Sequence, residues 1–147
     1  MSSNPPVVVI TGASSGIGAA FAELAAKKGA IPVLAARRVP ELGTVTGRCG
    51  AQALPIVANV AQRADVERIR DAALARFGHI DVWINNAGRG ITRLVSQLTD
   101  DDFDEIMRVN VKSAIYGMQA VLPHFKARRC GHIINLSSLL GRIPLVP

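Results

Sequence analysis

At 147 residues, 49% hydrophobic and 19% charged, with a mean hydropathy of +0.27, the chain suits one folded domain with its own core and is not a disordered segment. A net charge of +6 permits contact with nucleic acid, but the basic residues are scattered and one Trp and one Tyr offer no stacking platform, so no nucleic-acid partner is expected. No apolar run approaches the roughly 18 residues of a membrane span, Met-Ser-Ser-Asn-Pro-Pro lacks the charge of a leader, and Cys49 and Cys130 fit neither zinc nor a disulfide framework, so a cytoplasmic protein with reduced thiols is expected.

Val7 to Ile10 is a run of β-branched residues, which suits a strand covered on both faces. The turn Thr11-Gly12-Ala13-Ser14-Ser15-Gly16-Ile17-Gly18 follows, and a helix is predicted from about Ile17 to Lys28. Glycine at 12, 16 and 18 lets backbone amides meet a guest directly, while the helix start adds unpaired N–H groups and positive polarity. An anion is the expected guest; a turn that only closes strand-to-helix packing is the alternative.

Gly29 closes this helix, and Ile31 to Ala36 forms a second strand, with Pro32 near its start, running into Arg37-Arg38. Val39 to Gly50 is irregular but compatible with a short helix, and Leu54 to Val60 makes a third apolar run. Asp65 to Phe77 carries Val66, Ile69, Ala73 and Phe77 at helical spacing, ended by Gly78. Ile80 to Asn85 reads as a fourth strand, followed by the turn Asn86-Ala87-Gly88-Arg89-Gly90.

Thr99 before three aspartates marks a helix start. Phe103, Ile106, Met107, Asn110, Val111, Ala114, Met118, Val121 and Leu122 continue one stripe, in which Asn110 is the odd member. Lys126 to Arg129 reads as a solvated helix end. A fifth strand, His132 to Leu136, leads into Ser137-Ser138. Alternating strands and helices predict an α/β fold with a doubly wound parallel sheet, whose ligands bind beyond the carboxyl ends of the strands. The glycine turn, Arg37, Asn59, the Asn85 to Gly88 turn and Ser138 all fall at such ends.

Thr11-Gly12-x-x-x-Gly16-x-Gly18, Asn85-Asn86-Ala87-Gly88, Asn110 in Val-Asn-Val and a strand ending in Ser137-Ser138 stand in the order found in the short-chain dehydrogenases/reductases. The chain resembles that family over nearly its full length. The resemblance implies a Rossmann-type oxidoreductase moving hydride between a nicotinamide cofactor and a small-molecule alcohol or carbonyl. It assigns cofactor binding to Gly12, Ser14, Ser15, Gly16, Ile17 and Gly18, to Arg37 and Arg38, to Asn59 and Val60, and to Asn86, Ala87 and Gly88. Ser138, in Ser138-Leu139-Leu140-Gly141, is the implied catalytic serine that holds the substrate oxygen, with Ser137 its neighbouring alternative. Asn110 either holds a water that relays protons or, as a core asparagine, bonds to neighbouring backbone.

NAD-selective relatives place a carboxylate at the end of the second strand, where this sequence has Ala36 and then Arg37. A guanidinium suits a 2′-phosphate, so NADP is expected over NAD. Ser15, where many NADP-preferring relatives carry an extra arginine, counts the other way. Asn59-Val60 replaces the family's usual Asp-Val, though an amide oxygen can still accept from an adenine amino group.

The family's Tyr-x-x-x-Lys lies about a dozen residues beyond the serine, and this sequence ends at Pro147 before reaching it. Its only tyrosine, Tyr116, has no lysine four residues later. Moving a phenol from about 10 toward 7 takes roughly 4 kcal/mol of differential stabilisation. The expectation is therefore one NAD(P)-binding domain, 1–147, truncated after about the fifth strand, with little or no turnover alone and an apolar edge at Ile133, Ile134 and Leu136 that invites self-association. A non-catalytic dinucleotide-binding protein is the alternative, and a homo-oligomer paired through the long helix is left open.

Overall fold

The computed structural model describes residues 4–139. Within them, β1 (Val7–Thr11), β2 (Ile31–Ala36), β3 (Leu54–Val57), β4 (Val82–Asn85) and β5 (His132–Asn135) form one parallel sheet in the order β3-β2-β1-β4-β5. β1 is central and buried along its whole length, as its β-branched run requires. Alternation along the strand sends Val7 and Val9 to one face and Val8 and Ile10 to the other. The first pair joins Val66, Ile69 and Ala73 of α3 (Arg63–Phe77) and Val121 and Phe125 of α5 (Ser113–Arg128). The second joins Ala19 and Ala22 of α1 (Gly16–Lys27) and Leu42 and Val45 of α2 (Val39–Cys49).

This arrangement decides where a ligand can sit. From β1 the chain works outward to β2 and β3 through α1 and α2, then returns across the other face through α3 to place β4 beside β1. The reversal opens a crevice beyond the carboxyl ends of β1 and β4.

Three elements refine or depart from the sequence-based expectation, and β4 starts at Val82 rather than Ile80. α2 is a full helix of 11 residues although it contains Gly43 and Gly47. Each glycine costs about 0.5–1 kcal/mol in a helix interior. Burying Leu42 and Val45, which are 1% and 2% exposed, contributes about 1.5–3 kcal/mol apiece and outweighs them. β3 ends at Val57 rather than Val60, because Asn59 starts a turn: its Oδ1 accepts from the Ala61 N–H at 3.1 Å.

The long helix is interrupted. α4 (Asp100–Ile106) starts at a capping box in which Thr99 Oγ1 accepts from Asp102 N–H and Asp102 Oδ2 accepts from Thr99 N–H, each at 3.2 Å. A wide π-helical segment, Met107–Lys112, then joins it to α5. A stripe extrapolated at 3.6 residues per turn cannot hold its face across that segment. Phe103, Met107, Val111 and Leu122 of the expected stripe are exposed, while Ser113, Gly117, Ala120, Val121 and Phe125 form the buried face of α5.

At the β5 edge His132, Ile134 and Asn135 are exposed, whereas Ile133 and Leu136 pack against opposite faces of the sheet. The expected apolar edge is thus partly tucked in.

Candidate functional site

Each glycine of the first turn is required for a different reason. Gly12 has φ +68°, and a Cβ there would lie 2.8 Å from Ala87 Cα, so both its conformation and the neighbouring loop demand glycine. Gly16 has φ +55° but open space around it, so only its conformation matters. A Cβ on Gly18 would lie 2.4 Å from the Gly12 carbonyl oxygen and 2.5 Å from Asn86 Nδ2, so close approach alone fixes it. The start of α1 comes to rest directly on the turn. Ser15, just before α1, makes no side-chain cap, which leaves first-turn amides of the helix without a side-chain acceptor from that residue.

The second turn is tied to the first. Thr11 Oγ1 donates to Ile84 O at 3.2 Å and accepts from the N–H groups of Asn86 and Ala87 at 3.0 and 3.1 Å. Asn86 Nδ2 donates to Thr11 O at 2.8 Å and Gly12 O at 3.3 Å. Thr11 and Asn86 therefore lock the carboxyl ends of β1 and β4 across the crevice. Sequence reasoning quoted Thr11 in the motif but gave it no role; a hydroxyl at the end of a fully buried strand was the available signal.

The crevice holds a cavity of about 540 Å³. Twelve of the thirteen residues nominated for cofactor binding line it, and Gly16 alone does not. Ala58 and Val109 also line it, and neither small apolar side chain carried a chemical signal in the sequence.

Arg37 and Arg38 occupy one wall but are held differently. Arg38 Nη2 donates to Ser14 Oγ at 3.1 Å and Ser15 Oγ at 2.6 Å, and its Nη1 pairs with Glu41 at 3.2 Å. Among the described residues Arg37 has no ion-pair partner and is exposed. At the far end, Asn59 N–H donates to Asp65 Oδ2 at 2.7 Å. That bond, and then Arg68, hold the Asp65 carboxyl below the usual carboxylate range.

Asn110 lies in the π-helical segment, and both halves of its amide are engaged by one peptide: Oδ1 accepts from Arg89 N–H and Nδ2 donates to Arg89 O, each at 2.8 Å. Arg89 also pairs with Glu105. Asn110, which is exposed rather than in the core, thus fastens the loop leaving β4. Ser138 follows β5 by three residues at the carboxyl end of the sheet, is exposed, and is not among the residues lining the cavity. Leu140 and Gly141 of its motif lie outside the described residues. Tyr116 lies on α5 beneath the Arg63 guanidinium, 4.3 Å from its ring centre, and does not line the cavity.

The whole arrangement can cradle a phosphate on backbone amides, with cations on one wall and small apolar residues at the strand ends. Among the described residues no group of three or more metal-ligating side chains occurs, and no helix is long and apolar enough to cross a membrane.

Comparison with known proteins agrees with this geometry. A family model described as short chain dehydrogenase matches residues 6–146. An uncharacterized oxidoreductase of Staphylococcus saprophyticus is 39% identical over 93% of this chain, and one of Listeria monocytogenes is 41% identical over 92%. The chain spans 56% of the length of each. Among solved structures, a 3-ketoacyl-(acyl-carrier-protein) reductase from Brucella melitensis complexed with NADH superimposes with a TM-score of 0.90 at 34% identity, covering 96% of this chain and 60% of that one. A metagenomic short-chain oxidoreductase in complex with NADP gives 0.89 at 34% identity, covering 96% and 66%.

Proposed function

We propose that this chain, which belongs to the short-chain dehydrogenase family, binds a nicotinamide dinucleotide in the crevice between β1 and β4, in the service of hydride transfer to or from a small alcohol or carbonyl. The observation that carries this reading is the cavity of about 540 Å³ beyond the carboxyl ends of β1 and β4, on which both turns and Arg37 converge. The residues present fit the group. Gly12 to Gly18 would hold the pyrophosphate, Asn59 and Val60 the adenine end, and Asn86 to Gly88 the middle of the cofactor. Bound there, a nicotinamide supplies the hydride donor or acceptor.

This chain's own residues prepare the site. Thr11 and Asn86 keep the strand ends at fixed separation, and Asn110 holds the loop that follows Gly88. Ser138 is proposed to hold the substrate oxygen.

We further propose NADP over NAD, on the strength of Arg37. Arg38 is already shared among Glu41, Ser14 and Ser15, whereas Arg37 pairs with no acid among the described residues and can turn toward a 2′-phosphate. Charged hydrogen bonds are worth about 1.5–3 kcal/mol. Arg37→Ala is therefore expected to weaken NADPH binding about 10- to 100-fold and leave NADH binding unchanged, read from nicotinamide fluorescence. Equal affinities for the two cofactors, insensitive to this substitution, would overturn the choice.

The alternative, nucleotide binding without catalysis by this polypeptide, is favoured by one observation: the sequence holds no Tyr-x-x-x-Lys, and Tyr116 is stacked under Arg63 on α5. General acid–base help is worth about 10²–10⁴-fold. With NADPH and a panel of aldehydes and ketones, the 147-residue chain is expected to bind cofactor with little or no oxidation of it. Robust turnover would reject this alternative.

A further inference from the structure

The amino ends of the strands, opposite the crevice, gather a second set of ionisable side chains. His79 and Asp81 lie on the segment between α3 and β4, and His124 and Arg128 lie one turn apart on α5. Asp81 Oδ2 accepts from the Val7 N–H at 2.8 Å, and its Oδ1 pairs with Arg128 Nη1 at 3.1 Å. The same Nη1 donates to Ile80 O at 2.7 Å, so Arg128, though exposed at the helix end, is also tied to the segment entering β4. His79 meets oxygen acceptors: Phe77 O lies 2.9 Å from Nδ1, with Asp81 Oδ2 3.2 Å and Pro5 O 3.3 Å from Nε2.

His124 differs. Its Nε2 lies 3.1 Å from the backbone nitrogen of Ile80, a group that can only donate. Nε2 must therefore present a lone pair, and the imidazole that makes this contact is neutral. Protonation sets N–H against N–H at His124.

We propose that His124 is a proton-sensitive latch between α5 and the entry to β4: neutral, it accepts the Ile80 amide and docks the last turns of the helix; protonated, it releases them. Around it stand Arg128 on its own helix and His79 and Asp81 on the segment leading into β4. Burial first, and the Arg128 charge second, hold its pKa below the ordinary 6.5. The sign follows from the depressed folded value. The unfolded chain takes up the proton first, so this stabilisation is complete above 6.5 and is lost as pH falls through the lower folded value. Asp65 and Asp102, both held below 3.8, lose their contributions only in more acid solution and leave this window clear. α5 is also joined through the π-helical segment to Asn110, so the latch and the loop beside the crevice belong to one helical unit.

The test is urea unfolding of the 147-residue chain followed by the fluorescence of Trp83, its lone tryptophan, from about pH 8 to about pH 5. The midpoint is expected to fall below about pH 6.5. In His124→Gln, where an amide oxygen can accept from Ile80 without titrating, the fall is expected to vanish; in His79→Gln it is expected to persist. A fall that survives His124→Gln, or that His79→Gln alone removes, overturns the proposal. Amide hydrogen exchange of Ile80 in the unsubstituted chain gives a second reading that needs no variant. Corrected for its intrinsic rate, it is expected to accelerate by up to about tenfold per pH unit as pH falls from about 6.5 toward the lower folded value, and to level off once His124 is mostly protonated. Exchange that keeps its protection down to about pH 5 overturns the latch equally.

Discussion

Gly18→Ala is expected to cost nucleotide binding at least about 100-fold, the most damaging single methyl group in the crevice. Its cause is steric rather than conformational. The added Cβ would lie 2.4 Å from the Gly12 oxygen and 2.5 Å from Asn86 Nδ2. The first obstacle is backbone, and the second is an amide already bonded to Thr11 O and Gly12 O. Neither can step aside without moving α1 off the turn or breaking the tie between β1 and β4. Overpacking of this kind costs about 1–3 kcal/mol in stability, and the geometry offered to a phosphate goes with it. Gly16→Ala makes the informative contrast. Space there is open and φ is +55°, so the penalty is the left-handed backbone alone, about 1–2 kcal/mol. Titration of nicotinamide fluorescence with both variants separates the two causes; if Gly18→Ala binds within about tenfold of the parent, the packing argument is wrong.

The second large effect is expected far from the glycines, at Gly117. By helix propensity alone, Gly117→Ala would stabilise α5 by about 1 kcal/mol. The structure points the other way. A Cβ there would stand 2.2 Å from Asn85 Oδ1 and 2.5 Å from Trp83 Nε1, two atoms that bond each other at 2.8 Å. Asn85 Nδ2 in turn donates to Asn135 Oδ1 at 2.8 Å, so the displaced amide would unfasten β4 from β5 as well. A buried polar group left without its partner costs about 1–3 kcal/mol, and overpacking adds a similar amount. Packing wins, and a net loss of about 3 kcal/mol or more is expected in urea unfolding, with a shifted Trp83 emission in the native state. An unchanged or raised midpoint would show that α5 does not sit as close to the sheet as described.

Legibility in the sequence tracked how completely one physical cause dominated each segment. β2 was read to the residue because Ile31 to Ala36 is buried on both faces and bounded by Gly29 and Arg37. The start of α4 was read from Thr99, because a capping box is purely local. α2 was read as irregular but compatible with a short helix, since Gly43, Thr44, Thr46 and Gly47 argue locally against a helix that Leu42 and Val45 secure through tertiary burial. The stripe along the long helix failed because periodicity cannot foresee a π-helical segment, and that segment also presents Asn110 to Arg89. In the site, glycines and amides announced themselves by their chemistry. Thr11, Ala58 and Val109 did not, because their contribution is position, which only the assembled sheet supplies.

The two arginines on the crevice wall have a kinetic consequence. On the function proposed above, an anionic guest would be drawn by charge over distances comparable with the Debye length, about 8 Å in physiological salt, and Arg37 and Arg38 would raise how often it arrives. Once it is seated, short-range donors on the glycine turn govern how long it stays. Arrival therefore weakens as salt is added while residence changes little. On that reading Arg37 would serve both encounter and, through a 2′-phosphate, retention, whereas Arg38, held by Glu41, Ser14 and Ser15, would serve encounter.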